Sequence, residues 1–337
     1  MNVLAVAGFI VGTAILAALV GYAGVGPIVH AAASLGFAGL GLISLVHLPV
    51  VAFLGLAWFA VARHFQDARL WDFVWARLVR DAAGEVLPFS QLGGYAAGVR
   101  VLTLARMAVL PASAGTLADL IVELAGKLPY VLVGLICLAW LSAPAELVMP
   151  IVGGLTAAAL LTALFFVVGF RGRGALERFA LILSKRFPDF AAASMERLRS
   201  DFHALFGQRR ALSAAFLLHF LCWLAGAFET WLLFRLMGIS LGAAEAIVID
   251  SLMSGLRTLA FFVPGAVGVQ EASYALLGAL FGVTPAAAIG FSLARRARDF
   301  LIGIPVLLAW NIQEGRRVLR AGPREMLQRG PLSEGPP

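Results

Sequence analysis

Three arginines set the chemistry this chain offers. Arg295 and Arg298 stand three residues apart, which puts two side chains on one helix face, and Arg257 lies in the apolar stretch before them. A planar guanidinium binds phosphate oxygens bidentately, so these three are the expected phosphate ligands. Glu271, Asp250 and Asp299 lie in the same region and are expected to balance the arginines or to bind the cationic part of a ligand or a proton. Between the two sets runs FFVPGAVGVQE, Phe261 to Glu271. Pro264 lacks a backbone donor there, and Gly265 and Gly268 permit tight or left-handed turns. A helix entering at Ser251 is expected to break at this point, exposing amides at a half-helix start that suit an anion. No DxD pair, HExxH or Ser, His and Asp set with a nucleophile elbow occurs in the sequence, so no catalytic residue, metal ligand or cofactor is assigned. His47 reads as a packing or hydrogen-bonding residue, and Cys137 and Cys222 as packing residues.

The elements that hold these groups are set by the solvent. With 61% hydrophobic residues, 13% charged and a mean hydropathy of +0.91, the chain reads as a polytopic membrane protein. In lipid, four charges near a helix centre cost roughly 10 to 14 kcal/mol, while the large apolar side chains between Ile289 and Leu308 return only about 3 to 6. The segment Thr284 to Ile312 therefore needs a wet cavity made by the rest of the chain, and that cavity is expected to hold a charged lipid headgroup. An ordinary span from Ala272 to Ala294 with a basic loop after it is the competing reading. Thr284 and Pro285 speak against it, since they suit an N-cap and a first helical position.

Topology follows from the net charge of +7 and where it falls. Arg63, Arg69, Arg77 and Arg80, nine Lys or Arg between Arg171 and Arg210, and the tail from Arg316 to Arg329 all read as cytoplasmic. The basic residues flank spans, which makes nucleic acid a poor explanation for them, and no nucleic-acid partner is expected. Val3 to Gly24 and Gly36 to Ala62 are the first spans, with Gly8 and Gly12 at a close-packing spacing, and Trp71 to Arg80 suits an interfacial belt. Leu128 to Ala143 and Leu147 to Phe170 follow as apolar runs. Gly84 to Lys127 must then leave and return on the cytoplasmic side, as a re-entrant hairpin or two short spans. Leu176 to Phe206 reads as a surface helix on the inner leaflet. Ala211 to Met237 runs outward and the last span inward, so Leu241 to Val283 leaves and returns on the outer side.

That mirror relation is matched by the prolines. Pro88, Pro111 and Pro129 answer to Pro264, Pro285 and Pro305, with the outer members of both sets 41 residues apart. Glu123 and Asp299 each lie six residues before the last proline, and Gly93 and Gly268 follow the first. An inverted repeat, in which broken helices meet near the midplane to form a substrate site, is the architecture this implies.

The segment PGAVGVQEA, followed by Gly282, Pro285 and SLARRARDFLIG, resembles the second-half motif of the lysylphosphatidylglycerol synthase transmembrane, or flippase-like, family. Leu87, Pro88, Leu92 and Gly93 resemble its first-half motif, and the wording LPFSQLGGY and VPGAVGVQEASY looks most like its hopanoid-biosynthesis-associated subgroup. The resemblance spans about Gly84 to Trp310. It implies paired re-entrant elements and a role in moving or handling polar lipids. Pro264, Gly265, Gly268 and Glu271 match the broken-helix motif, and Arg295 or Arg298 the arginine of the next helix. Gln270 stands where many relatives carry a basic residue and Gly94 where the first half usually has a carboxylate, so a lysyl headgroup is not implied. The synthase domain of true lysylphosphatidylglycerol synthases is expected to be absent, since the sequence ends at Pro337.

The expected protein is therefore an all-α polytopic integral membrane protein with about six full transmembrane helices and two re-entrant helical hairpins in an inverted repeat. Its parts are an N-terminal pair with a basic loop (1–83), a first repeat (84–170), a cytoplasmic connector (171–210), a second repeat (211–312) and a disordered basic tail (313–337). Both termini are placed in the cytoplasm of a bacterium, the bundle in its inner membrane. The binding set is Arg257, Glu271, Arg295, Arg298, Asp250 and Asp299, with Arg100 and Glu123 from the first half and Pro264, Gly265, Gly268, Pro88 and Gly93 as backbone. The partners are membrane lipids, an anionic phospholipid or a hopanoid, with self-association left open. The function is lipid transport rather than catalysis; the alternative is a membrane-embedded transferase, or an accessory subunit of a lipid-biosynthesis enzyme, using Glu271 or Asp250 as a base.

Overall fold

A computed structural model describes residues 3–62, 69–87, 91–141, 207–259 and 263–320, with isolated positions 149, 153, 156 and 204. The expected span Leu147 to Phe170, the connector helix Leu176 to Phe206, Pro88 and the tail beyond Arg320 lie outside the described residues. Among those described, every regular element is a helix. In order they are α1 (Val3–Ala23), α2 (Val25–Ala33), α3 (Gly36–Ala62), α4 (Leu70–Val86), α5 (Gln91–Leu104), α6 (Val109–Trp140), α7 (Arg209–Leu236), α8 (Ala243–Leu259), α9 (Val269–Ala279) and α10 (Pro285–Arg320). A single 3-10 turn, Pro264–Ala266, separates α8 from α9.

Length and composition make α3, α6 and α7 membrane-crossing, at 27, 32 and 28 residues. A rise of 1.5 Å per residue carries each past a hydrocarbon core of about 30 Å. Their outward faces are apolar and exposed, with Phe37, Phe53, Leu132, Ile136, Leu217 and Leu221 turned away from the protein. Their inward faces hold Asp119, Glu123, His219 and Glu229, all buried. The bundle is thus a polar interior wrapped in side chains that a bilayer solvates. The chain bends by 91° between α1 and α2, at Gly24, whose φ of +81° an L-residue rarely adopts. α2 was not foreseen; it packs on α10, where Gly290 lies against Ala31 and Ala32.

Two apolar clusters fix the helices that matter for the site. Phe234 of α7 stacks on Phe291 of α10 with ring centroids 4.0 Å apart, and Tyr274 of α9 meets Phe291 edge-on. Trp58 and Phe73 make the corresponding contact between α3 and α4 at 5.7 Å. The described prolines of the two sets fall on like elements: Pro111 and Pro129 lie in the long helix α6, and Pro285 and Pro305 in the long helix α10, each behind a short helix (α5, α9).

Several boundaries differ from expectation. Gly84 lies inside α4 rather than opening a new unit, and no break separates Lys127 from Leu128, because α6 continues unbroken through Pro129. A proline costs a helix one hydrogen bond, and packing by neighbouring helices absorbs that cost in membrane bundles. Val109 to Lys127 and the apolar run after it are therefore one helix running in one direction, so the expected return to the cytoplasmic side at Lys127 does not occur. α10 likewise runs past Ile312 to Arg320. The stretch Trp71 to Arg80 is not a solvated belt: Trp71 is exposed, but Arg77 and Arg80 are each only 5% exposed.

Candidate functional site

The inward faces of α3, α4, α6, α7, α8 and α10 enclose a cavity of about 810 Å³. Six basic and six acidic side chains line it, and they pair in groups that follow helix periodicity. On α4, Arg77 and Arg80 share a face at spacing three; on α6, Asp119 and Glu123 share one at spacing four. Arg80 donates from Nη1 to Asp119 at 2.9 Å and from Nη2 to Glu123 at 2.6 Å, with the Tyr95 ring 4.1 Å from its guanidinium. Arg77 holds Glu123 through both terminal nitrogens, at 3.0 and 3.2 Å, and Asp81 through Nε. His219 of α7 completes this group, its Nε2 2.9 Å from Asp119.

A second group joins α6, α7, α8, α9 and α10. Arg295 donates to Asp250 at 2.6 Å and to the Tyr274 hydroxyl at 2.8 Å, while Tyr130 and Thr230 donate to the same carboxylate. In a third, Arg298 donates to Glu229 at 2.5 Å and to Asp299 at 2.7 Å, and His47 lies 2.9 Å from Glu229. Arg257 of α8 pairs with Glu85 of α4. Lys127 donates to the Thr258 hydroxyl at 2.7 Å with its ammonium 4.3 Å from the Trp223 ring centre.

Of the expected binding set, Arg257, Arg295, Arg298, Asp250, Asp299 and Glu123 are brought together on the cavity wall. The three arginines expected as phosphate ligands each already hold a carboxylate. Glu271 is elsewhere. It accepts from the Gly268 amide at 2.8 Å, from Ser292 at 2.9 Å and from Arg296 at 2.9 Å, and Arg296 also donates to the Gly265 carbonyl. The half-helix start at α9 does attract an anion, but the anion is the chain's own carboxylate three residues on. Arg100 is 56% exposed and pairs with Glu314 on the outside of the bundle. Gly93 sits in the first turn of α5, away from the cavity lining.

Arg77, Arg80, Asp119, His219 and Glu229 were missed as site residues. The signals existed: two arginines at spacing three facing two acids at spacing four, and a glutamate inside the apolar run Ala211 to Met237, where an ionisable residue is by default functional. Among the described residues no three His, Cys, Asp or Glu side chains converge as a metal site.

The sequence model for the transmembrane region of lysylphosphatidylglycerol synthase matches residues 6–306. The chain belongs to this family. A search of curated proteins and a search of solved structures each found no match. Membership in the lysylphosphatidylglycerol synthase transmembrane family makes it a membrane protein related to lipid handling. Gly94 lets α5 close on α4: a Cβ there would lie 2.5 Å from the Arg80 carbonyl oxygen. Gln270 donates to Ser292 at 2.8 Å and so supports the Glu271 clamp. Loss of the exposed Arg100–Glu314 pair in Arg100→Ala is expected to cost under about 1 kcal/mol and to leave any cavity activity intact, checked by thermal midpoint and transport on the same preparation.

Proposed function

We propose that this protein moves the headgroup of a polar lipid, a phospholipid or a hopanoid, across the inner membrane of a bacterium through the charged cavity, without altering the lipid covalently. The observation that carries the reading is a cavity of about 810 Å³, within the usual range for ligand pockets, lined by twelve charged side chains inside a bundle whose outer faces are apolar. Such a lining replaces water around a charged headgroup while the acyl chains stay in lipid. Because the acids match the bases in number, an entering headgroup exchanges partners with groups already paired and leaves no unneutralised cluster. The two proline-marked halves rock about it in the manner of inverted repeats, with both chain termini on the cytoplasmic side.

The test is leaflet exchange in proteoliposomes holding a fluorescent phospholipid or a labelled hopanoid. Exchange above that of empty vesicles, with the recovered lipid unchanged in mass, is expected. Asp250→Asn, which removes the counter-charge of Arg295, is expected to lower the rate about tenfold or more, the scale of a lost charge-assisted hydrogen bond. Exchange no faster than in empty vesicles, or a recovered lipid carrying a new group, overturns the proposal.

A further inference from the structure

The charges on the cavity wall are not compensated evenly. Arg77, Arg80, Arg257, Arg295 and Arg298 each hold at least one carboxylate. Lys127 has no carboxylate partner among the described residues. Its ammonium is half-buried, spends one N–H on Thr258, and rests on the face of Trp223. An aromatic face offsets only part of the cost of desolvating a cation. Among the charges acting on Lys127 are Glu123, one turn earlier on α6 and already held by Arg77 and Arg80, and Arg257, the residue preceding Thr258. Both hydrogen bonds of Arg257 to Glu85 leave from Nη2, which leaves Nε and Nη1 without a hydrogen bond among the described residues.

From this geometry we infer that Lys127 and Arg257, with Trp223 as a floor, form a subsite for the phosphate of a phosphomonoester or phosphodiester. This rests on the transport reading above and adds to it where the headgroup binds and by which atoms. The ammonium has N–H groups to spare, and the guanidinium offers Nη1 and Nε from the facing helix, on separate edges, so a tetrahedral phosphate takes single-point contacts from two directions. Elsewhere on the wall a phosphate has to displace a carboxylate of like charge; here it supplies the missing counter-ion. Lys127 on α6 and Arg257 on α8 also come from the two proline-marked halves, so a phosphate bound between them bridges units that must move relative to one another.

The test uses the full-length chain in detergent, titrated with phosphatidylglycerol, with diacylglycerol of the same acyl chains, and with inorganic phosphate. Tryptophan fluorescence is the readout, and Trp223→Phe identifies the part of the signal that comes from the subsite. Lys127→Met is expected to weaken phosphatidylglycerol binding about ten- to a hundredfold and to leave diacylglycerol binding unchanged, with Lys127→Arg returning to within a few-fold. Lys127→Gln gives a second neutral side chain should methionine prevent accumulation. Inorganic phosphate binding as tightly as the lipid assigns the subsite to a soluble phosphate compound and overturns its role as a lipid headgroup site. Unchanged phosphatidylglycerol affinity in both neutral variants overturns the subsite and leaves transport standing if exchange persists. A selective loss of phosphatidylglycerol affinity, in a wild-type protein that shows no exchange, keeps the subsite and removes the transport reading.

Discussion

Arg298→Met is expected to destabilise the protein by about 3–5 kcal/mol, the cost of removing one partner from a buried ion pair. The side chain is 5% exposed and its acceptor Glu229 3%. Methionine fills most of the volume, so packing changes little, and the loss measures the stranded charge. Glu229 keeps only His47, and Asp299 loses its guanidinium partner. Adding Glu229→Gln to Arg298→Met removes the stranded carboxylate and is expected to recover much of the loss, because a buried pair replaced as a unit is often near neutral. Thermal midpoints in detergent across the two single variants and the double give the coupling directly. Midpoints that fall additively would mean that the two side chains do not interact, and the third group on the cavity wall would have to be redrawn. The lowered midpoint should appear whether or not transport is assayed, which makes it a test of the geometry alone.

The general class of this fold was legible because composition decides the solvent, and a cavity with a charged lining was legible because charges within Asp250 to Asp299 are too costly for lipid. What could not be read was pairing. Arg77 and Arg80 meet carboxylates some forty residues away on α6, and a local rule for basic clusters assigns them to water unless the facing helix is known. The Lys127–Leu128 boundary failed for a related reason: charge and proline suggest an end, while the surrounding helices keep α6 continuous. Glu271 is the reverse case. Its spacing three after Gly268 is the spacing of a capping residue, so its structural role was written in the local sequence, and the family motif drew it into the binding set instead.

Pairing also exposes a relation between the halves that hydropathy hides. Asp119 and Arg295 each stand ten residues before the internal proline of their long helix, at equivalent positions with opposite charge. In the first half the arginines are on α4 and the acids on α6; in the second the acid Asp250 is on α8 and the arginine on α10. Each half therefore neutralises its own long helix. Between α4–α6 and α8–α10, the polar side-chain contacts among the described residues include Glu85–Arg257, Lys127–Thr258, Tyr130–Asp250 and, away from the cavity, Trp75–Gln313; the first two border the proposed subsite. A ligand that replaces those contacts changes how the halves are held together without disturbing the charge balance within either.

Gly268→Ala is expected to be more damaging than the same change at Gly265 or at Gly12. Gly268 has φ +79°, and a Cβ there would fall within the radius of the Gly12 carbonyl oxygen on α1. The left-handed backbone costs an L-residue about 1–2 kcal/mol, and the overlap adds about 1–3 more, since backbone atoms on both sides leave no flexible group to yield. Gly265→Ala separates the two effects. Its φ is +60°, but its Cβ would meet Val267 Cγ2 at an ordinary 3.6 Å, so only the backbone cost applies. Gly12→Ala gives the converse, an overlap with the Val267 carbonyl on a helical residue without the φ penalty. Thermal midpoints should fall in the order Gly268→Ala below both of the others. If Gly268→Ala proved no worse than Gly265→Ala, α1 would not rest on the break between α8 and α9. The Glu271–Arg296 clamp would then have to hold that break in place unaided.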